Sequence, residues 1–289
     1  MPDGVLVDRG VLRDWPLPAP GSDKEERGRL VLVAGSRDTP GAGLLAAEAA
    51  LRVGAGKVQL VTARSCAPSL AVSAPELMVT GALEDGSGNI DAAGADRILE
   101  WARGSSAVLL GPGFTDTDVA AELVGRLLPH LESTVVLDAL ATAYVTGGPE
   151  RLAGSAHPVV LTVNPTELAE CLQLDEVEVE PDLARHTTTL ARRTRAVVVC
   201  GGPTKFVARA DDLWRVEAGN AGLGTAGSGD VQAGIVTGLL ARGAEPAQAA
   251  VWGAYLHGAA GDRLAASVGP LGYLARQLTG ELPGLLAEQ

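Results

Sequence analysis

Residues 219–234 read GNAGLGTAGSGDVQAG: six glycines around a single carboxylate, Asp230, with a hydrophobic, alanine-rich stretch following at once. A carboxylate in the first turn of a helix, behind a run of glycines, has a specific chemical use. The free N–H groups of Gly227, Ser228 and Gly229 would point from the helix N-terminus toward an anion, and glycine permits close backbone approach. Asp230 then stands beside a transferring phosphoryl group, where it can take the proton of an attacking hydroxyl. The N–H groups would steady the charge on the phosphoryl oxygens. The plainer alternative is that Asp230 only caps the helix, because aspartate is common at helix starts. Other glycine chemistries fit less well. A dinucleotide fingerprint belongs after the first strand with an acidic residue about 20 positions on, whereas the best glycine cluster here lies near residue 224, and no GxxxxGK[ST] string exists.

The chain around this motif has 289 residues, 46% of them hydrophobic, and a formal net charge of −12. Such a surface repels nucleic acid and anionic membrane, so an anionic ligand must be drawn in by local N–H groups. Cys66, Cys171 and Cys200 are far apart and form no C-x-x-C pair. A cytoplasmic protein without disulfides is the simplest expectation. The four histidines are scattered without metal-ligand spacing, so no protein-built metal site is expected. MPDGVLVDRG has no apolar signal core, and no apolar run reaches membrane-span length.

The elements that must hold Asp230 in place follow from short apolar runs alternating with helical stretches. RLVLVAGS (29–36) reads as a buried strand ending in a glycine turn, 40–56 as an alanine-rich helix, and KVQLVTA (57–63) as a second strand. Further strands are expected within 106–114, 134–140 and 195–202, helices over 91–103 and 117–129, and a strand, a turn and a helix start over 158–172. The stretch 204–219 reads as a β-hairpin with Asp211 and Asp212 at its turn. Helices then run from about 228 to the end, broken near 242–246 and 268. The pattern predicts an α/β fold with a mostly parallel sheet and its site at the C-terminal edge of that sheet. Two regions are expected: a leader over 1–28 that wraps the domain rather than forming core, and one domain over 29–289.

The stretch GNAGLGTAGSGDVQAGIVTGLLARG (219–243) resembles the C-terminal signature of the ribokinase-like superfamily, and within it the ADP- or ATP-dependent NAD(P)H-hydrate dehydratases. Residues 31–63, APELMV (74–79) and LLGPGF (109–114) resemble that family's other motifs in consistent order, and the likeness covers about residues 25–285. The resemblance implies a three-layer α/β/α ribokinase-like fold. It also implies a repair reaction in which a nucleotide, ADP by preference, phosphorylates the ring hydroxyl of (S)-NADH-hydrate or (S)-NADPH-hydrate. Phosphate then departs and restores the reduced cofactor. By the same resemblance Asp230 is the base and Gly227, Ser228 and Gly229 form the anion hole. Asn220 matches the Gly-Asn pair before the signature, Gly35 and Ser36 match positions at the first turn, Glu76 belongs to the Pro-Glu motif, and Gly113 lets the cofactor approach the backbone. Asp138, Asn164 and Glu167 fall on further binding positions. Mg2+ is expected with the nucleotide, and the family resemblance implies a homo-oligomer such as a tetramer. The epimerase that converts the R hydrate is expected on a separate chain.

Departures from the family pattern carry chemical weight. Leu140 stands where the family has a second carboxylate after Asp138, Asn164 replaces a histidine, Thr166 replaces a glycine, and Cys200 precedes Gly201 where Lys-Gly is usual. Leucine cannot bind a hydroxyl, and cysteine cannot supply the charge of a lysine. Cys200 itself reads better as a buried strand-end residue than as a reactive thiol. A kinase for another small hydroxylated molecule, or a nucleotide-binding relative with little turnover, therefore remain alternatives.

Overall fold

The computed structural model describes residues 4–288; residues 1–3 of the expected leader and Gln289 lie outside it. The first half of the chain runs β1 (Val5–Leu6), α1 (Arg9–Asp14), β2 (Arg29–Val33), α2 (Gly41–Arg52), β3 (Lys57–Ala63), α3 (Ala67–Ser73), β4 (Met78–Ala82), α4 (Ala95–Ala102), β5 (Ala107–Leu110), α5 (Thr117–Leu127), β6 (Thr134–Asp138) and α6 (Ala143–Thr146). It continues with β7 (Val159–Val163), α7 (Pro165–Leu172), α8 (Glu176–Val179), α9 (Leu183–Thr194), β8 (Val197–Cys200), β9 (Lys205–Arg209) and β10 (Asp212–Val216), and closes on α10 (Ser228–Ala241), α11 (Pro246–Ser267) and α12 (Ala275–Ala287).

The strands form one sheet in the order β1-β10-β9-β8-β7-β6-β5-β2-β3-β4. Among the described strands only β9 runs against the others, pairing antiparallel with both β8 and β10. The central strands are uniformly apolar because both faces are covered. Leu30 and Leu32 of β2 join a core with α2, α10 and α11, while Val31 and Val33 join a second core with Ile98 of α4 and Leu123 of α5. Two cores on opposite faces of one sheet make the three-layer α/β/α ribokinase-like arrangement. Strand order reverses between β2 and β5, which leaves a crevice at the C-terminal edge of the sheet.

Residues 4–28 do more than wrap. β1 extends the sheet by pairing with β10, and Val7 and Leu12 are buried in the main core. Trp15 stacks on Trp214 with ring centroids 5.7 Å apart, and its carbonyl accepts hydrogen bonds from Trp252 and Gln248 of α11. The leader is held because an apolar strand edge and an unsatisfied carbonyl both find partners in the domain. The hairpin is also displaced by one residue. Arg209 pairs with Asp212, so the turn is Ala210–Asp211 and Asp212 already belongs to β10. No helix among the described residues is long and apolar enough to cross a membrane.

Candidate active site

The cavity lies where β6, β7 and β8 end and α10 begins. It has a volume of about 740 Å3, and Asp138, Asn164, Glu167, Asn220, Gly227, Ser228, Gly229 and Asp230 are among the residues lining it. That volume is within the usual range of small-molecule sites. Its floor is made where strands stop: Asp138 is the last residue of β6, and Thr162 stands beside it on β7.

α10 begins as the glycine run requires. Gly227 is its N-cap in the left-handed region, at φ +87°, and a Cβ there would come within 2.4 Å of a Leu45 methyl. No side chain caps the helix, so Asp230 is not spent on the role that aspartate often takes at helix starts. Ser228 is held from behind: its Oγ lies 2.9 Å from Nε2 of His257 on α11. That imidazole is buried and its other nitrogen, Nδ1, has no hydrogen-bond partner. Burial, then the charge of nearby Lys205, holds it well below the ordinary histidine range, so the ring is neutral.

Three carboxyl groups share the cavity. Burial pushes Asp230 up to about 6. Asp138 lies well above the usual carboxylate range, first because it is buried and then because Asp230 and Glu167 are near; Thr162, whose hydroxyl donates to it across 2.6 Å, opposes the shift. Glu167 is also raised, again mainly by burial. Groups of like charge in a dry cavity hold their protons longer, and perturbed acids in a cleft point to chemistry.

Asn164 and Glu167 have a local explanation as well. The Asn164 side chain accepts from the Glu167 N–H at 2.8 Å, and the Glu167 carboxylate accepts from the Asn164 N–H at 2.9 Å. This reciprocal cap starts α7. Asn220 is likewise saturated. Its carbonyl oxygen accepts from Gly222 N–H at 2.9 Å and from the Tyr273 hydroxyl at 3.0 Å, while its amide donates to Asp262 at 3.1 Å. Asn220 thus fixes the loop before α10.

The other expected residues lie elsewhere. Gly35, Ser36 and Gly113 form a separate cluster at the β2–β5 crevice, along the same sheet edge as the cavity. Gly35 N–H donates to Pro112 at 2.7 Å, the Ser36 and Thr39 hydroxyls are 2.8 Å apart, and Thr39 donates to the Gly113 carbonyl at 2.6 Å. A Cβ on Gly113 would meet Thr39 O at 2.7 Å and the Ala42 Cβ at 2.8 Å. That glycine therefore accommodates the protein's own backbone rather than lining the large cavity. Glu76 is not brought to the cavity within this chain. The short α3 returns the chain to the start of edge strand β4, and Glu76 is left exposed there.

Sequence reasoning missed Lys205 and His257, both of which line the cavity. Neither carries a motif of its own; each is found only because its element packs against the glycine run. At Cys200, where the resembled pattern has a lysine, the thiol is buried and pushed up to about 12. Cys171 is buried and raised in the same way, and Cys66 is only half-buried.

A family model described as NAD(P)H-hydrate dehydratase matches residues 30–284. The chain is 43% identical over 97% of its length to an ADP-dependent (S)-NAD(P)H-hydrate dehydratase of Xanthomonas campestris, covering 95% of that protein. It is 35% identical over 90% of its length to a bifunctional NAD(P)H-hydrate repair enzyme of Moorella thermoacetica, of which it spans 49%. Its fold is similar to that of the ADP/ATP-dependent NAD(P)H-hydrate dehydratase of Bacillus subtilis co-crystallized with ATP/Mg2+, with a TM-score of 0.86, 26% identity, and coverage of 100% of this chain and 99% of that one.

Proposed function

The chain belongs to the NAD(P)H-hydrate dehydratase family, and on that premise we propose that it dehydrates (S)-NADH-hydrate and (S)-NADPH-hydrate to NADH and NADPH at the expense of a nucleotide. ADP is the expected donor, in keeping with the name of the Xanthomonas relative. The observation that carries the reading is Asp230: a carboxylate in the first turn of α10, pushed up to about 6 by burial, at a helix N-terminus that no side chain caps, in a cavity of about 740 Å3.

The chemistry follows from what each group can do. Hydroxide is a poor leaving group and phosphate a good one. Asp230, ionised at neutral pH, accepts the proton of the ring hydroxyl. The hydroxyl oxygen forms a bond to the terminal phosphorus of ADP as the bond to AMP breaks. The N–H groups of Gly227 and Gly229 meet the charge on the phosphoryl oxygens, while the Ser228 N–H donates to the Thr225 carbonyl at 3.1 Å and holds the loop that presents them. The ring nitrogen lone pair then expels phosphate, and loss of a proton from the neighbouring carbon restores the dihydronicotinamide. His257, neutral and hydrogen-bonded to Ser228, positions that serine within the anion hole.

Magnesium, arriving with the nucleotide, would supply charge neutralisation among the phosphate oxygens. Among the described residues no group of three or more His, Cys, Asp or Glu side chains is placed to hold a metal ion. An ion that takes most of its ligands from phosphate fits such a cavity, with Asp138 and Glu167 the carboxylates that could complete its coordination while Asp230 serves as the base. The test is direct: hydrated NADH is offered with ADP or with ATP, and recovery of NADH absorbance is followed. Recovery that requires nucleotide supports the reading, and activity with ATP but not ADP reverses the choice of donor. No recovery with either nucleotide rejects the assignment.

A further inference from the structure

A nucleotide brings several negative charges into a cavity already walled by Asp138, Glu167 and Asp230, in a chain of net charge −12. The N-terminus of α10 offers partial positive charge alone, and His257 is neutral. Among the described residues lining the cavity, one side chain carries a full positive charge, Lys205. It opens β9, and the pairing of Cys200 with Phe206 sets it just past the end of β8, beside Gly201 at the C-terminal edge of the sheet.

The surroundings of Lys205 are unusual for a lysine. It is 4% exposed, although buried lysines are rare unless paired. An ammonium has three N–H donors. One is used, on the carbonyl of Ala218 at 3.1 Å. Asp262 on α11 attracts the charge, yet its oxygens are engaged by the Gly219 N–H and the Asn220 amide. A desolvated ammonium with spare donors at a cavity wall is costly until an anion arrives.

We propose that Lys205 is a nucleotide-binding residue of this site, its ammonium taking a phosphate oxygen on the side of the cavity where His257 supports Ser228. The proposal rests on the nucleotide-dependent reading above and adds to it the group that receives the phosphate charge. A purely structural lysine would only staple the loop at Ala218.

The experiment compares wild type, Lys205→Met and Lys205→Arg by calorimetric titration with ADP and with ATP, by steady-state kinetics on hydrated NADH, and by thermal unfolding with and without ADP. Losing a charged hydrogen bond should raise the Kd and KM for nucleotide about 10–100-fold in Lys205→Met. The KM for hydrated NADH should move much less, and the rise in Tm on adding ADP should shrink. Lys205→Arg should recover much of the affinity. A folded Lys205→Met that binds both nucleotides as wild type does overturns the proposal.

A pH series keeps the question open to refutation even if Lys205→Met does not fold. Burial brings Lys205 down to about 8, and the titratable groups facing it are Asp262 and the neutral His257. Wild-type affinity for ADP should weaken as pH rises above about 8, whereas Lys205→Arg, whose charge does not titrate there, should stay level. Identical pH dependence in both proteins overturns the proposal. A wild type that binds neither nucleotide overturns this proposal together with the function on which it rests, while a wild type that binds and turns over leaves that function standing whatever the variants do.

Discussion

At the scale of single residues, the decisive contrast is between a carboxylate that caps and one that reacts. Asp230 makes no capping hydrogen bond, and burial alone lifts it to about 6. Asp230→Asn should therefore lower kcat about 10²–10⁴-fold while KM for either substrate changes little, as measured by NADH recovery under saturating conditions. Near-normal turnover would remove the base assignment. The pH dependence has a definite sign. Asp230 must be ionised to accept a proton, so kcat/KM should fall about tenfold per pH unit below about 6, and the pH–rate profile of the wild type locates that limb. Stability runs the other way. A raised carboxyl pKa favours the folded state at low pH, and this contribution is lost as pH rises from about 4 through about 6. At pH 7 the asparagine variant should unfold at the same temperature as wild type or higher. The motif around Asp230 was legible in the sequence because its glycines are local. Lys205 was not, because nothing in KFVAR tells that its amine is buried against Ala218 rather than solvated. The place of Glu76 was hidden for the complementary reason: its motif is local, but its exposed position away from the cavity is set by α3.

At the scale of elements, the position of α10 depends on how closely it approaches α2. A Cβ on Gly234 would fall 2.2 Å from the Ala46 carbonyl oxygen, and one on Gly238 would fall 2.8 Å from the Ala50 Cα. These obstacles are backbone, which cannot swing aside as a side chain can. Gly234→Val should force the helices apart, lower stability by about 1–3 kcal/mol or more, and tilt the end of α10 that carries Asp230. Thermal unfolding and kcat measured on the same sample would show both falling, and an unchanged Tm would contradict the packing. Strands β2, β3 and β5 to β8 were readable from sequence because strands buried on both faces are short unbroken apolar runs. Edge strand β4 was not: MVTGA is only partly covered, and its Met78 is 61% exposed, so the apolar signal that marks a strand is weak there.

At the scale of the whole molecule, the fold class followed from the alternation of elements, whereas the role of the first 28 residues did not. Trp15 in that segment is held by Trp214 and Trp252, about 200 and 237 residues further along the chain. Association is also a property of this scale, and we propose a homo-oligomer. Light scattering across a wide concentration range should give a multiple of the 29.4 kDa chain mass, with a single-chain mass throughout counting against it. The three thiols have a practical outcome. Two are sealed in the interior with their ionisation suppressed, while Cys66 sits half-exposed beside the Ser36 and Arg37 carbonyls at the turn after β2. The native chain should thus accept one maleimide and no more under folding conditions, which intact mass spectrometry would count. A fluorophore carried there would need no cysteine-free background, and would report from the β2–β5 crevice while leaving the residues around Asp230 untouched.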